Sequence, residues 1–346
     1  MNTFQKIVLF AFVALATFSC TCNREQKQAK KETEIDASSV DVKIVRFEKD
    51  LFECNPNNMA NELAALAKKY PMFYPVFYNS VLVIPAVGDS VLQLEVMKDF
   101  VAKPAMKGLY DTVQSKFADL QFLKDDLKIC FANYKSYFPK NPIPEIYTCI
   151  SEFSYSVFTI SDSIIGLSLD KYLGANYMYY PSVFEQTSYM IPTFDKKYMA
   201  IDVANALASN VIAVPGDKST LLDKMLTEGK ILFFIQSVLP NKKDFDIIKY
   251  TEKQYKWCEA NELQIWTYFL NQNRLYDTKF EQFKYVKDGP STYGMPKESP
   301  GRAGAWLGWQ IIRKYMQENP NTTLKQLIDE KDGQKILTAS KYKPKV

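Results

Sequence analysis

The side chains best placed to do chemistry lie around Glu228, Gly229 and Lys230, inside STLLDKMLTEGKILFFIQSVLP, residues 219–240. A carboxylate and an ammonium stand there where an amphipathic half-helix becomes a half that is apolar all round, Ile231-Leu232-Phe233-Phe234-Ile235. Charges at such a border must be paired or line a cavity, because burying either alone is too costly. A carboxylate raised in pKa by burial could serve as a general acid; the plainer alternative is a structural ion pair on a core helix. Asp170, Lys171, Asp202 and Arg302 are the other charges set beside apolar or aromatic stretches. The candidate binding groove beside this central helix is bordered by Asp170, Asp202, Glu228, Lys230 and Arg302, with local ion pairs and caps as the alternative.

The 346-residue chain contains no histidine. That removes Ser-His-Asp and Cys-His arrangements and every zinc site built on imidazole. Any catalysis would rest on carboxylates, Lys, Tyr or Cys, so the chain reads as a non-enzyme. A carboxylate hydrolase acting on glycans would need a second carboxylate about 5–10 Å from Glu228. Gly229-Lys230 is no phosphate loop, since Ile231 stands where Ser or Thr is needed. No Asp-rich calcium loop is present, and neither metal nor cofactor is expected. Net charge is +4 with both signs interspersed, which argues against a nucleic-acid partner. The 22 Tyr and 23 Phe read mainly as core; a peptide- or sugar-binding module would show them along an exposed cleft.

These residues must be positioned by a mainly helical α+β fold with one small sheet. Thr220 and Asp223 have capping-box spacing and Pro240 closes the central helix. Strands are expected at Val40–Ile44, 146–150, 155–160 and 163–169, where Tyr, Val, Ile and Thr concentrate. Helices are expected from Asn57 to Tyr70, as two or three over 90–138 with breaks near Pro104 and Leu120, and at 200–210. One long helix is expected over 252–273, with Glu262 at a surface-facing edge. Residues 72–85 read as an irregular aromatic connection. Gly304 and Gly308 give 301–317 a small-xxx-small spacing that admits another backbone, and a last helix runs from Asn321 to about Glu330 before a basic end. Residues 40–346 read as one globular domain.

The amino terminus has the layout of a secretory signal, residues 1–19, with Lys6 before an apolar run from Ile7 to Ala16 too short to span a bilayer. Thr17-Phe18-Ser19-Cys20 resembles a lipobox, although Leu is usual where Thr17 stands. Cys20 is the expected lipidation site, and Cys22 fits less well. Residues 20–39 read as a disordered polar tether with a reach of about 25 Å. The remaining cysteines read mostly as buried free thiols.

Five segments together resemble a known family: IIGLSLDKYLG (164–174), LLDKMLTEGKILFFIQSVLP (221–240), YTEKQYKWCEANELQIWTYFL (250–270), SPGRAGAWLGWQIIRKYM (299–316) and SKYKPK (340–345). In this order behind a lipoprotein signal, they resemble the gliding-motility lipoprotein GldB family of Bacteroidota. The resemblance implies a non-catalytic lipoprotein, held at the membrane by its lipid, that supports gliding or an associated secretion machinery within an envelope protein complex. Cys20 is followed by no acidic cluster of the kind associated with surface export, so the outer membrane facing the periplasm is the expected location. The family is also distantly similar to zincin-like metallopeptidases. Glu228-Gly229 would match their later Glu-Gly pair, and Ile201, Asp202 and Asn205 would stand where the two His and the Glu of the metal-binding helix belong. That likeness implies a degenerate, metal-free scaffold, a pseudoenzyme.

Overall fold

The computed structural model describes Ala29, Lys31 and residues 33–83 and 90–345. The expected signal peptide and Cys20 lie outside the described residues. Strands β1 (Ile44–Arg46), β2 (Glu145–Cys149), β3 (Val157–Ile160) and β4 (Ile164–Ser168) form one sheet in the order β1-β2-β4-β3. β1 and β4 run parallel to β2, and β3 returns antiparallel along β4. Every residue of β4 is buried, as expected of an inner strand covered on both faces. The first strand starts later than expected: Val40 and Val42 are buried, but the ladder begins at Ile44, opposite Ile146. Their alternation records burial, and pairing comes after it.

Helix α1 (Phe47–Phe52) follows β1, and α2 (Met59–Lys69) buries Met59 and Leu66. The stretch after Met72 is helical where an irregular connection was expected: α3 (Phe73–Val76) passes into a π-helical turn, Phe77–Val81. Pro75 sits in the first turn of α3, where its missing N–H is not needed. Phe73 and Phe77 meet the Phe47 ring edge-on, with centroids 4.9 and 5.0 Å away. Residues 84 and 85 of that stretch lie outside the described residues. Three helices then follow as the spacing predicts, α4 (Ser90–Ala102), α5 (Pro104–Lys116) and α6 (Gln121–Tyr137). Leu109, Val113 and Phe117 form a buried stripe. Residues 33–39, read from sequence as tether, lie along α6: the Thr33 and Ile35 amides donate to the Ser136 carbonyl and hydroxyl, both at 3.1 Å.

After the sheet, Asp170 occupies a buried turn. Its carboxylate accepts the Phe153 amide at 2.6 Å and the Ser151 amide at 3.3 Å. Burial pushes Asp170 up to about 6, against the pull of those amides and of Lys171. Burial also lowers Lys171, to about 8; its ammonium donates to the Phe153 carbonyl at 2.8 Å and lies 3.9 Å from the Phe184 ring centroid. Next come α7 (Tyr180–Val183), α8 (Met199–Val211) and α9 (Leu221–Val238), the last being the central helix. Thr220 and Asp223 cap α9 reciprocally, at 3.2 and 2.9 Å. Its second half is buried from Leu232 to Leu239, between α6, α8 and a later helix.

The helix expected over 252–273 is broken. After α10 (Asp244–Ile247), α11 (Glu252–Ala260) stops at Asn261, whose ψ of 21° and side-chain bond to the Trp257 carbonyl redirect the chain into α12 (Glu262–Leu270). That turn buries Glu262, which accepts the Tyr342 hydroxyl at 2.7 Å and is not at a surface edge. Helix α13 (Ala303–Glu318) crosses α9. The last expected helix begins only at α14 (Leu324–Asp329), capped by Thr323, and a further helix that the sequence reading does not expect, α15 (Gly333–Ser340), capped by Asp332, leads into the basic end. Cys54, Cys130, Cys149 and Cys258 are buried free thiols. Burial pushes the Cys54 thiol up to about 11, which keeps it protonated and inert at neutral pH.

The α9–α13 crossing depends on two glycines. A Cβ at Gly308 would overlap the Met225 carbonyl, and one at Gly229 would lie 2.7 Å from the Trp309 amide nitrogen. Gly308→Ala is therefore expected to lower the unfolding free energy by about 1–3 kcal/mol despite alanine's better helix propensity. Gly108→Ala, within α5 and with open space around it, should raise it by about 0.5–1 kcal/mol. Urea titration reads both signs. Asp170 has a folded-state pKa above its ordinary value of 3.8. Its ionised form thus costs stability in full above about pH 6, and the cost vanishes below about pH 4. Measured against Asp170→Asn, the wild type should gain about 1–3 kcal/mol as pH falls through that window; a difference that stays flat contradicts the buried acid.

Candidate functional site

A cleft of about 510 Å³ runs along α9, walled by α8, by the turn after α10 and by the segment that leads into α13. Its floor is apolar, with Ile201, Ile231, Leu232, Ile235, Ile247 and Val286. Its charged lining is balanced, Asp202, Glu228 and Asp288 against Lys249, Lys287 and Arg302. Asp202 comes from the first turn of α8, where the helix dipole favours a carboxylate. Glu228 comes from the middle of α9. Arg302 stands immediately before α13 with φ 64°, and Lys249 has φ 60°. Left-handed backbone at a non-glycine residue costs roughly 1–2 kcal/mol, so both cations are held at an energetic cost.

Each carboxylate is engaged. Arg302 forks between Glu228 at 3.0 Å and Asp288 at 3.4 Å. Lys249 pairs with Asp202, whose other oxygen accepts the Tyr172 hydroxyl at 2.7 Å. Burial pushes the Arg302 guanidinium down, but Asp288 and Glu228 outweigh it and the net direction is up. Burial and Asp202 push the Tyr172 phenol well above its usual range. Such a lining can hold charged and apolar groups side by side. A general acid, by contrast, must donate a proton, and these three carboxylates all accept from neighbours.

Of the residues expected at the groove, Asp202, Glu228 and Arg302 meet there, and Ile201 and Asn205 line it as well. Asp170 does not: with Lys171 it is held in the turn that follows the sheet, bonded to backbone. Lys230 does not either. Two residues on a helix lie about 200° apart, so Lys230 leaves α9 on the face opposite Glu228. It donates to the Glu330 carbonyl at the end of α14, and burial lowers its pKa. Lys249, Lys287, Asp288 and Tyr172 went unseen in the sequence, although a lone Lys between Ile248 and Tyr250 was a readable signal.

Asp202 and Asp288 do provide further carboxylates in the cleft of Glu228, as a hydrolase would need. Its described lining includes no aromatic ring; the exposed Tyr155, Tyr179, Tyr276 and Tyr293 lie elsewhere. Among the described residues no group of three or more Cys, Asp or Glu is arranged to hold a metal ion, and no helix is long and apolar enough to cross a membrane. No curated protein and no solved structure matches the chain. The model of one family, described as gliding motility protein GldB, matches residues 28–344, from before the first described residue through the tail beyond α15. The chain therefore belongs to the GldB family of gliding-motility lipoproteins.

Proposed function

We propose that this protein is a non-catalytic holder, anchored through an acylated Cys20 to the outer membrane on its periplasmic side, that grips an extended segment of a partner in a motility or secretion complex. The observation that carries this reading is the pairing inside the cleft: an apolar floor beneath ion pairs in which every carboxylate is already an acceptor. A peptide offers both apolar side chains for the floor and polar groups for the rim. The meeting of Ile201, Asp202, Asn205 and Glu228 in one cleft supports descent from a peptidase-like scaffold that keeps its grip on extended chain and lacks the ligands for a metal. The carboxylate-hydrolase alternative is weaker, because Arg302 and Lys249 each hold an oxygen of these acids in an ion pair that favours the ionised form over a proton donor. The chain is bonded to α6 from Thr33 onward, and in this reading the residues between Cys20 and that contact link it to the lipid.

Two outcomes test this. A photo-crosslinking residue at Asn205, on the exposed rim of the cleft, should capture one specific envelope protein in living cells. The same probe at exposed Lys325, on α14, should not, and Arg302→Ala should abolish the capture at Asn205. Capture that is equal at both positions, or indifferent to Arg302, would argue that the cleft is not the contact site. For the anchor, Cys20→Ala should remove incorporation of labelled palmitate and release the protein from the membrane fraction, whereas Cys22→Ala should leave both unchanged.

A further inference from the structure

The cleft has a side pocket of about 100 Å³ that shares Ser209, Glu228, Ile231 and Val286 with it and extends toward the start of α9. Lys224 lines this pocket. Its side chain is buried, at 2% exposure, and its ammonium has no hydrogen-bond partner among the described residues. The Phe283 ring centroid lies 4.7 Å away. Asp277 acts on it only through space, its carboxylate being bonded to the Lys279 amide at 2.9 Å and the Gln282 side chain at 2.5 Å. Buried ammonium groups are costly unless an anion and hydrogen bonds compensate them, and an orphan of this kind needs an explanation. Arg302, a partly buried cation of the cleft, has its acids in place.

We infer that this pocket is a carboxylate subsite: it receives the acidic side chain of an Asp or Glu on the extended segment held in the cleft, with Lys224 as its counter-ion. The inference rests on the reading of the cleft as a peptide holder. The other pocket walls are largely apolar, Ile212, Val214 and Pro215 among them, and suit the methylene stem of such a side chain. Glu228 stands at the shared mouth and shares the single Arg302 guanidinium with Asp288, so the pair of acids keeps net negative charge there. A second negative charge on a free phosphate or sulfate would meet that carboxylate, whereas a monoanion on a short stem passes it to reach Lys224. The unpaired ammonium is thus a cost to the empty protein that the ligand removes.

The test uses three probes against the full chain, with binding followed by calorimetry: acetyl-Val-Glu-Val-amide, its Gln counterpart, and acetyl-Val-Val-Val with a free carboxyl terminus. The wild type should bind the Glu peptide at least about tenfold tighter than the Gln peptide. Lys224→Met should erase that preference and, because an uncompensated charge is gone, raise Tm by about 2 °C or more. Equal binding of the Glu and Gln peptides overturns the subsite and leaves the cleft reading standing. Tightest binding of the free-carboxyl peptide assigns the pocket to a chain terminus and overturns the side-chain assignment. No binding by any probe removes both readings. A preference that survives in Lys224→Met, or a Tm that falls in it, makes Lys224 a structural residue and defeats the inference.

Discussion

Everything around the cleft depends on one close contact, the passage of α13 over α9 at Gly308 and Gly229. Helices with ordinary side chains between them lie about 8–10 Å apart, and residues without a Cβ let the backbones come closer. Here the Gly308 backbone rests on the carbonyl of Met225, with Trp306 and Trp309 buried on either side. The consequence for function is one of register. Gly308 lies six residues beyond Arg302, and Gly229 one residue beyond Glu228, so fixing the crossing fixes where the guanidinium meets the carboxylate. A partly buried ion pair repays its desolvation only when geometry is good, and the glycine seam supplies that geometry.

The charges in the cleft are organised for holding. Arg302 and Lys249 both sit in left-handed backbone and both engage acids from neighbouring elements, so two strained positions deliver the two cations to the cleft. Strain of this kind persists only where the surroundings over-determine it, and it concentrates at sites that bind. In the side pocket the pattern reverses, with a cation buried and no acid bonded to it. Paired charges beside an unpaired one make a surface that distinguishes partners by where their charges fall.

Much of the framework was legible because it rests on local rules. The capping box at Thr220, the breaks at Pro104 and Leu120, the small-residue spacing of 304 and 308, and the strands after Pro142 each follow from residues within a few positions of one another. The misses at Glu262 and Asp170 share a cause, which is contact across long sequence separation. Glu262 reads as a surface residue in the sequence because nothing nearby announces Tyr342, eighty residues on, as its partner. Asp170 is withdrawn from the groove by the amides of Ser151 and Phe153, which belong to a loop whose path the sequence does not announce. Lys230 is a different lesson: closeness in sequence to Glu228 suggested a shared site, and the helical rotation separates them onto opposite faces. Lys249 and Asp288 come from connections, and their arrival at the cleft is decided by packing alone.

The most direct measurement is a double-mutant cycle on Glu228→Gln and Arg302→Gln by urea unfolding, carried out in the wild type and again with Gly308→Ala. If the glycine seam sets the register of the ion pair, the coupling should be about 1 kcal/mol in the wild type and close to zero once the helices are spread. A coupling that is the same in both backgrounds would mean that the pair forms independently of the helix crossing, and would contradict the dependence of the cleft on that contact.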